Sequence, residues 1–244
     1  LLESADATTG AGERSLLMVQ AALRVRCLGL AVQVDALTAN GQALLPWLAE
    51  RLAARSEVVH RAGTLTATFA DPKGQEMDEA ARGRAPSPLD VLRVLAGEVK
   101  LSSRPADLNH MVAGIFSYDL VDLFEPLPPP ASDPVAFPRY DFWLPEQVVV
   151  VDHLRNATTV LALVMGGTDA ERRYHDATVA ISRLAEQVGA GPGPRPADTP
   201  GNTGAVSADM DDAEFAALVT RLKRHIHSGD VFQIVPSRTF TISC

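Results

Sequence analysis

The stretch Ser15-Leu16-Leu17-Met18-Val19-Gln20-Ala21-Ala22-Leu23-Arg24-Val25-Arg26-Cys27-Leu28-Gly29-Leu30-Ala31-Val32-Gln33-Val34-Asp35 reads as two strands joined by a turn at Gly29. Leu17, Val19, Leu23 and Val25, then Leu30, Val32 and Val34, recur at the period of two that a half-buried strand requires. Two neighbouring strands joined by so short a turn lie antiparallel.

Outward from this hairpin the pattern alternates between helix and strand. Residues 42–54 read as a helix, with Pro46 expected in its first turn. Thr64 to Phe69 reads as a strand, and 71–86, polar and broken by Gly and Pro, as a surface loop. Ser87, Pro88 and Asp90 form a helix start, followed by an apolar stripe of Val91, Leu92, Leu95 and Val99. Val112 to Tyr118 reads as a core strand. Glu146 to Asp152 and Ala157 to Met165 read as a hairpin around Leu154-Arg155-Asn156. Asp169 can cap a helix carrying Tyr174, Ala177, Ile181, Leu184 and Val188 at helical spacing.

Gly189 to Gly204 holds almost no large apolar residue, and its Gly, Pro and Thr content predicts a linker. Beyond it, Asp211 and Glu214 have capping-box spacing, and Phe215, Leu218, Val219, Leu222 and Ile226 share one helix face. Gly229 stands where a left-handed cap is wanted, and Val231 onward reads as a strand disturbed by Pro236. The predicted fold class is α+β, a mainly antiparallel sheet with packed helices.

Composition excludes several classes of function. The 244 residues are 46% hydrophobic and 21% charged, which is ordinary globular usage. The net charge of −8 and the lack of a basic cluster argue against a nucleic-acid partner, because phosphate contacts need concentrated Lys and Arg. No apolar run approaches the roughly 20 residues that cross a bilayer, so no membrane partner is expected. Two distant cysteines, Cys27 and Cys244, predict a reducing, cytoplasmic setting. The chain starts Leu1-Leu2-Glu3-Ser4 without Met and stops inside an alternating pattern at Thr239–Cys244, which reads as a piece of a longer protein.

Spacing alone identifies no reaction. His225 and His227 are two apart and point in different directions on a helix, unlike the four-residue spacing of a helical zinc site. No phosphate-binding Gly loop or nucleophile elbow is present. The segment Gly229-Asp230-Val231-Phe232-Gln233-Ile234-Val235-Pro236-Ser237-Arg238 is more informative. It sets an uncharged donor–acceptor, Gln233, beside Arg238, a planar donor suited to carboxylates. On geometry alone, a helix–strand corner whose polar residues are merely exposed is the better reading.

That segment resembles the chorismate-utilising enzymes, within them the anthranilate synthase component I family. Two further segments agree, in order and separation. One is Leu1-Leu2-Glu3-Ser4-Ala5-Asp6 with Arg14-Ser15-Leu16-Leu17. The other is Gly114-Ile115-Phe116-Ser117-Tyr118-Asp119-Leu120-Val121-Asp122-Leu123-Phe124-Glu125-Pro126-Leu127-Pro128.

The resemblance implies an α+β fold divided into an amino-terminal regulatory region at 1–188, a linker at 189–206, and the start of a chorismate-binding catalytic domain at 207–244. It implies a lyase that takes chorismate and ammonia to anthranilate and pyruvate, with magnesium holding the chorismate carboxylate. The ammonia would come from a glutamine amidotransferase partner. The magnesium ligands lie in the part of the family's length that this chain lacks, so no metal ligand is assigned and the piece alone is expected to be inactive. Gln233 is the catalytic candidate. Water-adding relatives carry a lysine base there, and a neutral amide cannot take that proton at pH 7. Glu3, Ser4 and Arg14 are candidates for binding L-tryptophan as feedback inhibitor. A carboxylate and a hydroxyl suit an α-ammonium, and Arg14 stands where relatives usually have lysine. Phe116 to Leu120 reads as mostly structural. The alternatives are an aminodeoxychorismate synthase, which also has Gln at that position, and a stand-alone amino-acid-binding module.

Overall fold

The structure, a computed structural model, describes residues 1, 12–71, 78–102, 109–125, 136–191, 193 and 204–242. They fall into two compact units, Leu1–Gly191 and Pro192–Cys244.

The first unit is built on one sheet. Its elements are β1 (Arg14–Leu28), β2 (Ala31–Ala36), α1 (Ala39–Leu52), β3 (Glu57–Arg61), β4 (Thr64–Thr68), α2 (Glu79–Arg84), α3 (Asp90–Gly97), β5 (Ala113–Phe116), a 3₁₀ helix (Tyr118–Leu123), β6 (Tyr140–Asp152), β7 (Ala157–Ala162) and α4 (Ala170–Gly189). The strand order is β3-β4-β2-β1-β6-β5, with β7 also on β6, and every pairing is antiparallel. The α+β reading with a mainly antiparallel sheet therefore holds.

The β1–β2 hairpin turns at Gly29, whose φ of 64° an L side chain resists. β1 is long because it serves two partners, β2 through Leu23–Leu28 and β6 along nearly its whole length. Its register slips between Met18 and Leu23, opposite Pro145, which has no N–H to donate. β6 spends Tyr140–Trp143 on β5 and Gln147–Asp152 on β7.

The core lies between the sheet and helices α1 and α3. Leu23, Val25, Val32, Val34, Leu65 and Leu144 meet Leu45, Leu48, Leu52, Val91 and Leu95, all without measurable exposure. Buried Tyr140 donates its hydroxyl to the Pro88 carbonyl at 2.7 Å, satisfying the polar end of a ring that packs on Phe116 and Phe142. Helix α1 sits so close to β1 that a Cβ on Gly41 would lie 2.0 Å from the Ala22 carbonyl oxygen. At the same helix start, buried Asn40 donates to Glu146 Oε1 (2.8 Å) and the Leu163 carbonyl (3.1 Å), and accepts from the Met165 N–H (2.9 Å). Thr38, the N-cap, donates to the other Glu146 oxygen. A carboxylate at a helix N-terminus also meets a favourable dipole.

Several local expectations are corrected. Helix α1 starts at Ala39, three residues before the expected start, so Pro46 stands inside it. The carbonyl of Gln42 loses its donor, but both residues lie on the exposed face, where water serves it. Val112–Tyr118 is not a core strand. β5 is an edge paired only with β6, and Gly114, Ile115 and Phe116 are exposed. The chain leaves it at Ser117, whose N–H and hydroxyl both reach the Arg139 carbonyl, and coils into the 3₁₀ helix. Gly114 is required by closeness: a Cβ there would fall 2.2 Å from the Asp141 carbonyl oxygen.

Ser87 does not cap α3 with its side chain. Asp90 makes the return bond, accepting the Ser87 N–H at 3.1 Å, and the helix begins at Asp90 itself. Asp169 occupies the N-cap of α4 in a left-handed conformation (φ 59°), and its side chain makes no capping bond. β3 and α2 were not expected, the latter falling within the stretch read as loop.

The second unit contains β8 (Val206–Ala208), α5 (Asp212–His227) and β9 (Phe240–Ile242), with β8 and β9 antiparallel. The capping box of Asp211 and Glu214 is complete in both directions. Gly229, at φ 82°, ends the helix with its N–H on the Ile226 carbonyl, while the Asp230 N–H reaches that of His225. The strand expected from Val231 is instead an extended arm. Pairing begins only at Phe240, because Pro236 cannot donate and β8 offers just three residues.

Candidate functional site

Two places carry the residues singled out by sequence, one in each unit. In the first unit, Arg14 opens β1 directly across from Asp152 of β6, and its Nε lies 3.6 Å from Asp152 Oδ2. Asp152 also accepts the Arg155 N–H (2.8 Å) and its guanidinium (2.9 Å). These contacts, the Arg155 amide foremost, hold the Asp152 carboxyl below its ordinary range. Next to this cluster Ser15, buried in β1, shares a hydrogen bond of 2.8 Å with His153 Nε2. Glu3 and Ser4 lie outside the described residues.

Along β1 the residues Arg14, Leu16 and Met18 share a face by strand alternation. That face continues into an apolar cavity of about 210 Å³ lined by Leu1, Leu16, Met18, Ile115, Trp143 and Val148. Beyond it an ion ladder crosses the sheet. Asp141 receives Arg24 in a two-pronged bond (3.0 and 2.6 Å), and the Arg24 guanidinium stands 5.3 Å from the centre of the Trp143 ring. Burial alone would raise the Asp35 carboxyl, but bonds from Gln33, Arg26 and Thr64 outweigh it and hold the group low. A larger cavity of about 480 Å³ touches Lys100, His110, Glu146 and Tyr174, and the Glu146 carboxylate is already bonded to Thr38 and Asn40.

In the second unit, Gln233 is exposed on the arm between α5 and β9. At the start of the arm Asp230 accepts from His225 Nδ1 (2.9 Å) and Ser228 Oγ (2.8 Å), and these bonds, His225 first, lower its carboxyl. At its end Arg238 has found its carboxylate within the unit. Its Nη1 is 2.6 Å from Asp212 Oδ1, and its guanidinium lies 4.5 Å from the centre of the Phe240 ring and 5.8 Å from that of Phe215. An ion pair on exposed Asp212 alone is worth about 0–1 kcal/mol. The two rings and an Arg side chain only 18% exposed make the contact more than that. The motifs of the resemblance point to Arg14 and Gln233, and Arg238 lies in the same segment as Gln233, but they name neither Asp152 nor Asp212 as a partner, since each pairing depends on how distant segments register.

The chain as a whole is similar to known proteins. The family model described as chorismate binding enzyme matches residues 51–244, and the chain belongs to that family. Anthranilate synthase component 1 of Serratia marcescens is 36% identical over 248 residues, covering all of this chain and 46% of the relative. The pyocyanine-specific anthranilate synthase component 1 of Pseudomonas aeruginosa is 34% identical over 247 residues, again over the whole chain and 45% of the relative. The chain thus spans less than half the length of these relatives. Among solved structures, anthranilate synthase component I from Streptococcus pneumoniae TIGR4 superposes with a TM-score of 0.56 at 18% identity, over 98% of this chain and 43% of that one, which is a likeness of fold.

Proposed function

We propose that this chain belongs to the large component of an anthranilate synthase, a cytoplasmic lyase converting chorismate and ammonia to anthranilate, pyruvate and water. Similarity along the whole chain to relatives of that name supports the reading. The observation that carries it is Gln233, exposed on the arm of the second unit. It stands where water-adding enzymes of the resemblance hold a lysine base. An amide cannot remove a proton from water at pH 7, but it can donate to or accept from an ammonia-derived group.

Ammonia would come from glutamine through a glutamine amidotransferase partner. Magnesium would hold the chorismate carboxylate. Among the described residues no group of three or more His, Cys, Asp or Glu is placed to hold a metal ion. The intact protein supplied with chorismate, magnesium and ammonium salt should release anthranilate. Release of isochorismate or salicylate alone would overturn the reading.

The first unit is proposed as the regulatory region, joined to the catalytic part through 189–206. Arg14, with Glu3 and Ser4, would recognise the carboxylate and ammonium of L-tryptophan, and the cavity along Leu16, Met18 and Trp143 offers the indole an apolar wall. Because Asp152 draws on Arg14, the guanidinium is shared between an internal and an external carboxylate. Ser4→Arg should relieve tryptophan inhibition in the intact enzyme and leave uninhibited turnover unchanged. Undiminished inhibition in that variant would remove Glu3 and Ser4 from the site.

A further inference from the structure

The arm from Asp230 to Arg238 carries Gln233 and, among the described residues, pairs with no strand until Phe240. Its hydrogen bonds and ion pairs among the described residues lie at its two ends. At the start, Gly229 turns the chain back, and Asp230 is bonded to His225 and Ser228 at the carboxy-terminal end of α5. At the finish, Arg238 bonds Asp212 in the first turn of α5 and lies against the rings of Phe215 and Phe240. Next to it, the Thr239 N–H donates to Asp209 Oδ1 (3.0 Å), and the Asp209 N–H donates to the Thr239 carbonyl (3.1 Å).

The lengths matter. From Asp212 to His225 the helix axis rises about 20 Å. The eight steps from Asp230 to Arg238 reach at most about 26–29 Å when fully extended. The arm runs back along the helix with about 6–9 Å of length beyond that rise, so its end fixings limit where Gln233 falls along the helix. An arm held by its own ladder would not need them.

We infer that Arg238 is a positioning residue: its guanidinium, clamped between Asp212, Phe215 and Phe240, sets the register of the arm and thereby the place of Gln233, and does not itself receive the substrate carboxylate. The kinetic side of this inference rests on the function proposed above. The structural side stands without it, since it concerns only contacts inside the second unit.

The test uses the intact protein with Arg238→Lys, Asp212→Asn and the double substitution, and Phe215→Leu as an independent cut at the same clamp. Amide hydrogen exchange at Asp209 and Thr239, whose N–H groups are bonded beside the clamp, should quicken by about tenfold in Arg238→Lys and in Asp212→Asn. The double variant should be no faster than either single one, because both remove the same contact. Phe215→Leu should shift the same amides. In chorismate turnover, kcat should fall by about ten- to a hundred-fold, the scale of a misplacement near 1 Å. KM for chorismate should stay within about twofold.

Unchanged exchange at Asp209 and Thr239 in these variants overturns the clamp. A raised KM for chorismate in Arg238→Lys, with Asp212→Asn behaving as wild type, overturns it too and assigns Arg238 to the substrate. If the unsubstituted protein releases no anthranilate, the proposed function falls, and the exchange result still decides the clamp.

Discussion

The two units hold their helices by different means. In residues 1–191 helix α1 buries Leu44, Leu45, Leu48 and Leu52 against a seven-stranded sheet, and it tolerates an interior proline because that burial outweighs a lost hydrogen bond. In residues 192–244 no described residue is buried. Helix α5 keeps Phe215, Leu218, Val219 and Leu222 only half covered, and Ile226 is 43% exposed. What α5 has instead is a full capping box, a glycine terminus and the Arg238 clamp. Local chemistry specifies a helix where packing does not, and packing overrides poor local chemistry where it is abundant.

The sharpest way to break this contrast is to truncate one leucine in each helix. Leu48→Ala should lower the stability of the first unit by about 2–5 kcal/mol, since the site has no exposure to relax into. Leu222→Ala should change the stability of the second by less than about 1 kcal/mol. Urea unfolding followed separately in the two units measures both. Equal losses would mean that the α5 face is packed as fully as that of α1.

The core of the first unit also makes it sensitive to alkali. Burial pushes the Cys27 thiol up to about 11, against the pull of Arg139, and drives the buried Tyr140 hydroxyl upward as well. An unfolded thiol ionises near pH 8.5. The folded form keeps its proton longer, so the stability tied to Cys27 is whole below about pH 8.5 and is lost as pH climbs toward 11, on the order of 3 kcal/mol. Cys27→Ala should flatten that part of the stability curve. An identical alkaline fall in the variant would shift the cause to Tyr140. At the edge of the same sheet, Gly114→Ala should cost about 1–3 kcal/mol, because its Cβ would press on the Asp141 carbonyl and the Phe142 ring. A variant as stable as the parent would mean that β5 can move away from β6.

The sequence showed most where the cause is local. The turn at Gly29, the capping box at Asp211 and Glu214 and the terminus at Gly229 are all as read, because each depends on a handful of neighbouring residues. Strands fared worse. β3, with Glu57, His60 and Arg61, has too little apolar alternation to be seen, and it exists because β4 offers it a ladder. The arm after Val231 has a strand's composition and, among the described residues, no partner before Phe240. The same division runs through the candidate site. Arg14 and Gln233 were visible as residue types in a motif, but the Asp152 contact needs the β1–β6 register, 138 residues apart, and the Arg238–Asp212 contact needs the arm to double back along α5.

The finest test of the contrast concerns caps. Asp211 accepts the Glu214 N–H at 2.8 Å, and Glu214 returns the bond to the Asp211 N–H at 3.1 Å. Thr38 accepts the Gly41 N–H at 3.2 Å in α1, where the helix start is also held by Asn40 and by close contact with β1. Losing a cap costs about 0.5–2 kcal/mol in either helix. In α5 no burial holds the first turn, so Asp211→Ala should open Asp212–Phe215 to hydrogen exchange, and Asp211→Ser should restore protection. The first turn of α1 should stay protected after Thr38→Ser, which keeps the hydroxyl, and Thr38→Ala should lower overall stability without selective fraying, because the turn cannot open unless Leu44 and Leu45 leave the core. Exchange in α5 that ignores Asp211→Ala would show that its face is covered after all, and the two units would then differ in sequence but not in how they are held.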